Sequence, residues 1–313
     1  MPHPGVMDAA ANAIYLARDG VVDRHNFARL GCERLSWGVY AKPPETTELD
    51  RFQVRRRRFE AKVRAIVAAC GKDGTVLYGP TALQVLGVAL PESLEDWDNC
   101  HILVPSGTYR PMRAGVVAHR SSRDIVIHRR IGGLPVLHPV DHLLQLRDAT
   151  IAELIEVGDG LMRRSHPLLT LDQLRRRLDE LAGVPGIDKV RRAAAWMRPG
   201  TDSLYESRTR IIIVRAGLPE PTVNLRVPVR STGFLYHVDM GYQAELTGVE
   251  FDGTVHVGDT RQMNIDAARH RDLADAGWLI FKVTSEQLRD PSQFLHPLER
   301  ALIMRHDAKR KAW

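Results

Sequence analysis

Cysteine is scarce in this chain of 313 residues, and the little there is lies scattered. Cys32, Cys70 and Cys100 are an odd number with no paired Cys or Cys/His spacing. A disulfide scaffold and a structural zinc module are therefore not expected, and a reducing compartment is. No apolar run approaches the roughly 18 residues that a membrane-spanning helix needs. Charges recur through the first thirty residues, contrary to a secretory leader, so a cytoplasmic protein without membrane attachment is expected. No internal repeat or low-complexity tract is visible. Gly132-Gly133 lacks a following Lys-Ser/Thr, so it is not a phosphate-cradling loop, and no Ser-His-Asp or Cys-His arrangement has supporting context.

What is present is ordinary globular material, 44% hydrophobic and 26% charged, long enough for two domains or more. Lys and Arg number 44 against 38 Asp and Glu, a formal +6. That mild basic bias suits a nucleic-acid partner without specifying one.

Periodicity predicts two short helices within residues 5–30, broken at Gly20, and a short strand from Arg34 to Ala41. A long helix from Glu48 to Cys70 follows, then a short helix at Thr81–Leu86. Strands are expected at His101–Pro105, Val116–His119 and Ile125–His128, and four helices between Pro139 and Met197. Arg198-Pro199-Gly200 breaks the pattern and is the expected boundary. Beyond it comes an α-β-β-β-α-β series ending in a strand at Trp278–Val283. The expected class is mixed α/β, with a helical, winged-helix-like segment at residues 1–47, a small α/β domain at 48–198 and a third domain at 199–313.

The chemistry concentrates in the third domain. Strand alternation puts His237 and Asp239 on one face and Val238, Met240 and Tyr242 on the other. In the next strand Glu250 and Asp252 share a face opposite Val249 and Phe251. Carboxylates gathered in mid-sheet repel one another, and a divalent cation is the simplest compensation. Hard oxygen ligands without thiolates suit Mg²⁺ or Mn²⁺. The blander alternative is a solvated face whose acids pair with nearby arginines.

Around these strands stand Glu206 on the preceding helix, Gly253 and His256 after Glu250-Phe251-Asp252, and then Asp266, Arg269 and Gly277-Trp278. In order and spacing, residues 201–290 resemble the small very-short-patch-repair-like endonuclease domain of the PD-(D/E)xK superfamily. That resemblance implies a restriction-endonuclease-like core and metal-dependent phosphodiester hydrolysis. Asp239 and Glu250 would hold Mg²⁺ or Mn²⁺, with Glu206 reaching the ion directly or through water. Asp252 stands where many superfamily members have lysine, and would hold a second ion or orient a water. His256 would be a general acid or base, or an ordinary loop histidine. Lys282 is either a relocated positive charge or a plain strand lysine. Arg208 and Arg269 would contact DNA phosphate or neutralise the acids.

The first 200 residues resemble the antitoxin of the AbiE type IV toxin–antitoxin group. The supporting residues are Arg34-Leu-Ser-Trp-Gly-Val-Tyr, Tyr78-Gly-Pro-Thr-Ala-Leu, His101-Ile-Leu-Val-Pro, Val117-Ala-His119-Arg120 and Leu137-His-Pro-Val-Asp141. The segment between Gly31 and Arg34 has no room for a recognition helix, so winged-helix reading of a specific sequence is not expected. Arg55, Arg56, Arg57 and Arg58, extended by Lys62 and Arg64, would track a phosphate backbone or form a solvated helix face. His119 and His128 read as structural strand histidines. The resulting expectation is a metal-dependent DNA endonuclease or nickase, in DNA repair or defence against foreign DNA, with a protein partner through the N-terminal region. The alternative is a non-catalytic DNA-binding regulator of the antitoxin kind.

Overall fold

The computed structural model describes residues 14–17, 20–36, 38–42, 51–70, 74–108, 110–253 and 260–311. Among them the chain is mixed α/β, with four small sheets, and it divides into two compact units. The first comprises residues 1–149 and 177–190, the second residues 150–176 and 191–313.

In the first unit, strands β1 (Ile14–Leu16), β2 (Glu33–Ser36) and β3 (Val39–Ala41) form an antiparallel sheet in the order β1-β3-β2. Two expectations change here. Ile14-Tyr15-Leu16, read as helical, is a strand paired with Ala41-Tyr40-Val39. Its β-branched and aromatic residues suit a pleated surface, and the pairing satisfies its backbone groups. The single strand expected over 34–41 is a hairpin, because Gly38 takes a positive φ of 70° between β2 and β3.

Helix α1 (Arg51–Cys70) buries Phe59, Val63, Ala65 and Ile66. A second sheet pairs β4 (Val76–Leu77) antiparallel with β5 (Cys100–Pro105), and β5 parallel with β6 (Val116–Ser121). Helix α2 (Gly79–Val85) packs against β5 and against α3 (Pro139–Gln145). The strand expected at 125–128 lies instead at β7 (Arg129–Ile131), paired with β8 (Leu134–Val136). Gly132 and Gly133 both have positive φ, and such a two-residue turn sets the hairpin register downstream of where composition alone pointed.

The second unit opens with α4 (Ile151–Leu161), whose Thr150 and Glu153 form a reciprocal capping box. Helices α5 (Leu171–Glu180) and α6 (Ile187–Ala194) each have residues in both units, and α7 (Leu204–Arg215), capped by Ser203, follows in the second. Arg198-Pro199-Gly200, the expected boundary, lies inside this unit, and Gly200 N donates to Met162 O. The sheet that follows contains β9 (Thr222–Val229), β10 (Phe234–Tyr242), β11 (Thr247–Phe251) and β12 (Leu279–Val283) in the order β12-β11-β10-β9. Only its β11–β12 pair is parallel, and α8 (Thr260–Asp275) makes that crossover.

Each face of this sheet carries its own core. Met240, Tyr242, Val249 and Val283 pack with Ile213 of α7 and with Phe294, Leu298 and Leu302 of α9 (Ser292–Lys311). Val227, Val229, Val238 and Trp278 pack with Leu273 of α8 on the other face. Helix α9 is not anticipated by the sequence reading; Phe294, Leu298 and Leu302 do carry a helical stripe, but Pro297 interrupts the pattern. Gly248 sits where a Cβ would stand 2.6 Å from Val238 Cγ1 and 2.7 Å from Ile280 Cδ1. Gly248→Ala is therefore expected to cost about 1–3 kcal/mol by overpacking, read as a lower urea midpoint at unchanged slope.

Helices α4 and α7 are joined by buried charges. Arg208 donates Nε and Nη2 to the two carboxylate oxygens of Glu156, at 2.9 and 2.8 Å. Arg210, 1% exposed, donates to Asp159 Oδ2 at 2.9 Å, to Glu220 Oε1 at 2.8 Å and to Trp196 O at 2.8 Å.

Candidate functional site

Asp239 lies where two strands part. β10 pairs with β11 only from Met240 to Tyr242, and the β9–β10 ladder skips Asp239. Opposite the gap, Asn224 has a positive φ of 49°. The alternation expected along β10 breaks at this point. Val238 packs on the α8 face and Met240 on the α9 face, although regular pleating would put both on one side. The Asp239 carboxylate takes over a ladder bond: its Oδ2 accepts from Phe251 N at 3.0 Å. Burial, then the negative charges of Glu206 and Glu250, push the Asp239 carboxyl up to about 7 despite that bond.

Glu206 comes from the first turn of α7. It accepts from Asp202 N at 2.9 Å, and burial raises its carboxyl above the usual range. One residue earlier, Tyr205 stacks on Phe251 with ring centroids 4.7 Å apart, which ties α7 to the end of β11. Glu250, the next residue back along β11, belongs to the opposite face and turns to α8. Both its oxygens accept from Arg269, Oε2 from Nη1 at 3.1 Å and Oε1 from Nη2, and Nη2 also bonds His237 O. His270 Nε2, buried, lies 3.5 Å from Glu250 Oε2.

The three expected metal ligands thus act on one another electrostatically across the parting of the strands, from two faces of the sheet. Among the described residues, no group of three or more His, Cys, Asp or Glu side chains is gathered to hold a metal ion. Asp239 and Glu206 have the donor chemistry for a hard divalent cation: two partly buried oxygen donors, each pushed toward neutrality by burial. Glu250 is already compensated by Arg269.

The remaining anticipated residues divide by their partners. Asp252 Oδ2 is 3.5 Å from Lys282 Nζ, so these two anticipated residues meet in a partly exposed pair beside the site. His256 lies outside the described residues. Arg208 is turned to Glu156, and Arg269 pairs with Glu250. In the first unit, Arg55 stands 4.8 Å over the Trp97 ring, Arg56 pairs with Glu60 at 3.0 Å, and Arg58 lies 3.8 Å from Glu33. Lys62 donates to Asp98 O and Arg64 to Gly132 O, so the basic run is largely engaged within its own unit.

Three contributors escaped the sequence reading. Tyr205 and His270 each adjoin a residue it did select. Tyr236 donates to Asp272 Oδ2 at 2.5 Å and lies 6.0 Å beneath the Arg269 guanidinium. The available signal was a neighbour of a selected residue carrying a group able to bond it. No family model, no curated protein and no solved structure matches the chain.

Proposed function

We propose that the second unit is a divalent-cation-dependent phosphodiesterase acting on DNA, an endonuclease or nickase. The observation that carries this reading is the parting of β10 from β11 at Asp239, which brings an undercompensated carboxylate between Glu206 and Glu250. The order Glu206, Asp239, Glu250, Arg269 and Trp278, with its resemblance to very-short-patch-repair-like endonucleases, supports it. Asp239 and Glu206 would hold Mg²⁺ or Mn²⁺, and Glu250 would join them on leaving Arg269. The cation would polarise the scissile phosphate and lower the pKa of a bound water. The chain's own groups do the rest. Asp239 keeps its geometry through the Phe251 N–H, and Tyr205 on Phe251 fixes the helix that carries Glu206. Lys282 places a positive charge at the rim, where an anionic backbone can approach.

The test is incubation of the purified chain with supercoiled plasmid, mismatched duplex and single-stranded DNA, with Mg²⁺ or Mn²⁺. Cation-dependent cutting that Asp239→Ala abolishes is the expected result; equal behaviour of the two proteins sinks the proposal. The clamp of Arg269 on Glu250 favours a second reading, a DNA-binding regulator without catalysis, for which the same assay would show retention of DNA and no cutting.

The clamp also makes a separate prediction. With Arg269→Gln, loss of the charge-assisted bonds is expected to cost about 1–3 kcal/mol of stability without added cation. Mg²⁺ should then restore more stability than it adds to the wild type, because Glu250 is free to bind it. Equal thermal shifts for both proteins would show that Arg269 and the cation do not compete.

A further inference from the structure

A second cluster of titratable groups lies in the first unit, in an array to which the nuclease reading assigns no role. β5 and β6 run parallel with Leu103 opposite His119, which sets His101 and His119 diagonally on neighbouring strands. His101 Nε2 is 2.9 Å from Asp96 Oδ2, and His101 Nδ1 is 3.1 Å from His119 Nε2. The Tyr78 ring lies flat on His119, with centroids 3.9 Å apart and planes 12° from parallel.

The proton positions follow from the ends of the array. Against the effect of burial, hydrogen bonds from His101 and Asn99 hold the Asp96 carboxyl below its usual range, so it is an ionised acceptor. His101 Nε2 must then carry the hydrogen, which leaves its Nδ1 as an acceptor for His119 Nε2–H. Neutral His119 is left with a bare lone pair on Nδ1. Burial, then the charges of His101, Arg110 and Arg147, hold His119 down to about 4. The charge of Arg147 also reaches Tyr78. Arg110 and Arg147 are both exposed, and among the described residues neither guanidinium is paired with a carboxylate.

Two uncompensated guanidiniums whose charge reaches a histidine with a bare nitrogen suit an anion. The histidine pair also has a carboxylate behind it, so it can accept a proton once a negative charge settles in front. A phosphate monoester fits better than a carboxylate. Its second ionisation, near pH 6, lies within reach of a histidine, and three oxygens can meet two guanidiniums and an imidazole together. We propose that Arg110, Arg147, His119 and Tyr78, backed by the Asp96–His101 pair, bind a phosphate monoester dianion with uptake of one proton. The proton enters at His119 Nδ1 and is donated to a phosphate oxygen, and no bond to phosphorus is made or broken. The dianion is that of a nucleotide, whose base would have the Tyr78–His119 stack beside it, or of inorganic phosphate, which presents the same oxygens without the ester.

Titration calorimetry of the full chain near pH 7.5 separates the possibilities, using inorganic phosphate and adenosine 5′-monophosphate in two buffers of different ionisation enthalpy. Saturation by either probe with proton uptake is the expected result. Saturation by phosphate identifies the bare anion as sufficient; saturation by the nucleotide alone identifies the nucleotide. His119→Gln should abolish the uptake and, like Arg147→Ala, weaken binding by about tenfold or more. Arg147 is exposed, so its variant tests the site without burdening the fold. Asp96→Asn should keep most of the affinity and lose most of the uptake, while Asp239→Asn should change neither, so this site and the nuclease reading stand or fall separately. No saturation at millimolar probe overturns the proposal, as does binding unchanged in Arg147→Ala. Tight Zn²⁺ binding lost in His119→Gln, without phosphate binding, overturns it in favour of a metal held by the histidine pair.

Discussion

Asp239→Asn is expected to reduce cation-dependent DNA cleavage by about a thousandfold while making the protein more stable at pH 8. The first effect follows from the cation's work at the phosphate, worth several kcal/mol of transition-state stabilisation, with each 1.4 kcal/mol a factor of about ten in rate. The second follows from proton linkage. The carboxyl stands at about 7 in the folded chain, above its ordinary value of 3.8. Between those two values the folded state keeps a proton that the unfolded state has released. Stability therefore declines as pH rises from about 4 to about 7. Asparagine removes this dependence and can still accept from Phe251 N through its amide oxygen. Added Mg²⁺ should raise the melting temperature of the wild type at pH 8 and leave the variant unmoved, since a ligand stabilises only a state that binds it. Urea midpoints across pH 4 to 8, with and without Mg²⁺, check all three statements. A variant that cuts normally would show that Asp239 does not hold the cation, and one whose stability tracks the wild type at every pH would show that it does not titrate near neutrality.

The second large effect is structural. Arg210→Met is expected to cost about 3–5 kcal/mol, because it strands Asp159 as an unpaired charge in the interior. Burial already pushes the Asp159 carboxyl up to about 6, with the neighbouring Arg210 and the Arg198 N–H opposing it. Without the guanidinium the carboxyl must take a proton or draw water in. The deficit should shrink as pH falls toward 5, where a protonated Asp159 no longer needs a counter-ion. Arg210→Met combined with Asp159→Asn should recover much of the loss, because no buried charge is left unmatched. Additive losses in the double variant would mean that the packing of α4 on α7, not charge pairing, dominates.

The contrast between neighbouring arginines shows why sequence reading reached some roles and missed others. Arg208 and Arg210 both lie on α7, a helix foreseen almost to the residue. Their partners, Glu156 and Asp159, are about fifty positions away on α4, across the turn read as a domain boundary. Nothing local to α7 distinguishes a DNA-facing arginine from one clamped to a distant helix. Arg269 differs, since Glu250 and the helix bearing Arg269 belong to one β-α-β crossover, and neutralisation was among its expected roles.

Local pattern by itself determined the elements of the last third through β12, because strand alternation, caps and turn residues act over a few positions. It also determined which residues carry the acids. Tertiary structure alone decided where those acids point. A strand's alternation is a property of regular pleating, and at Asp239 the pleat breaks, so Val238 and Met240 enter different cores. Glu206 then approaches from α7 while Glu250 turns to Arg269 on α8. The small excess of positive charge never specified a partner. Where each arginine finds its counter-charge depends on contacts between residues far apart in the chain, and those contacts are made only when the helices pack.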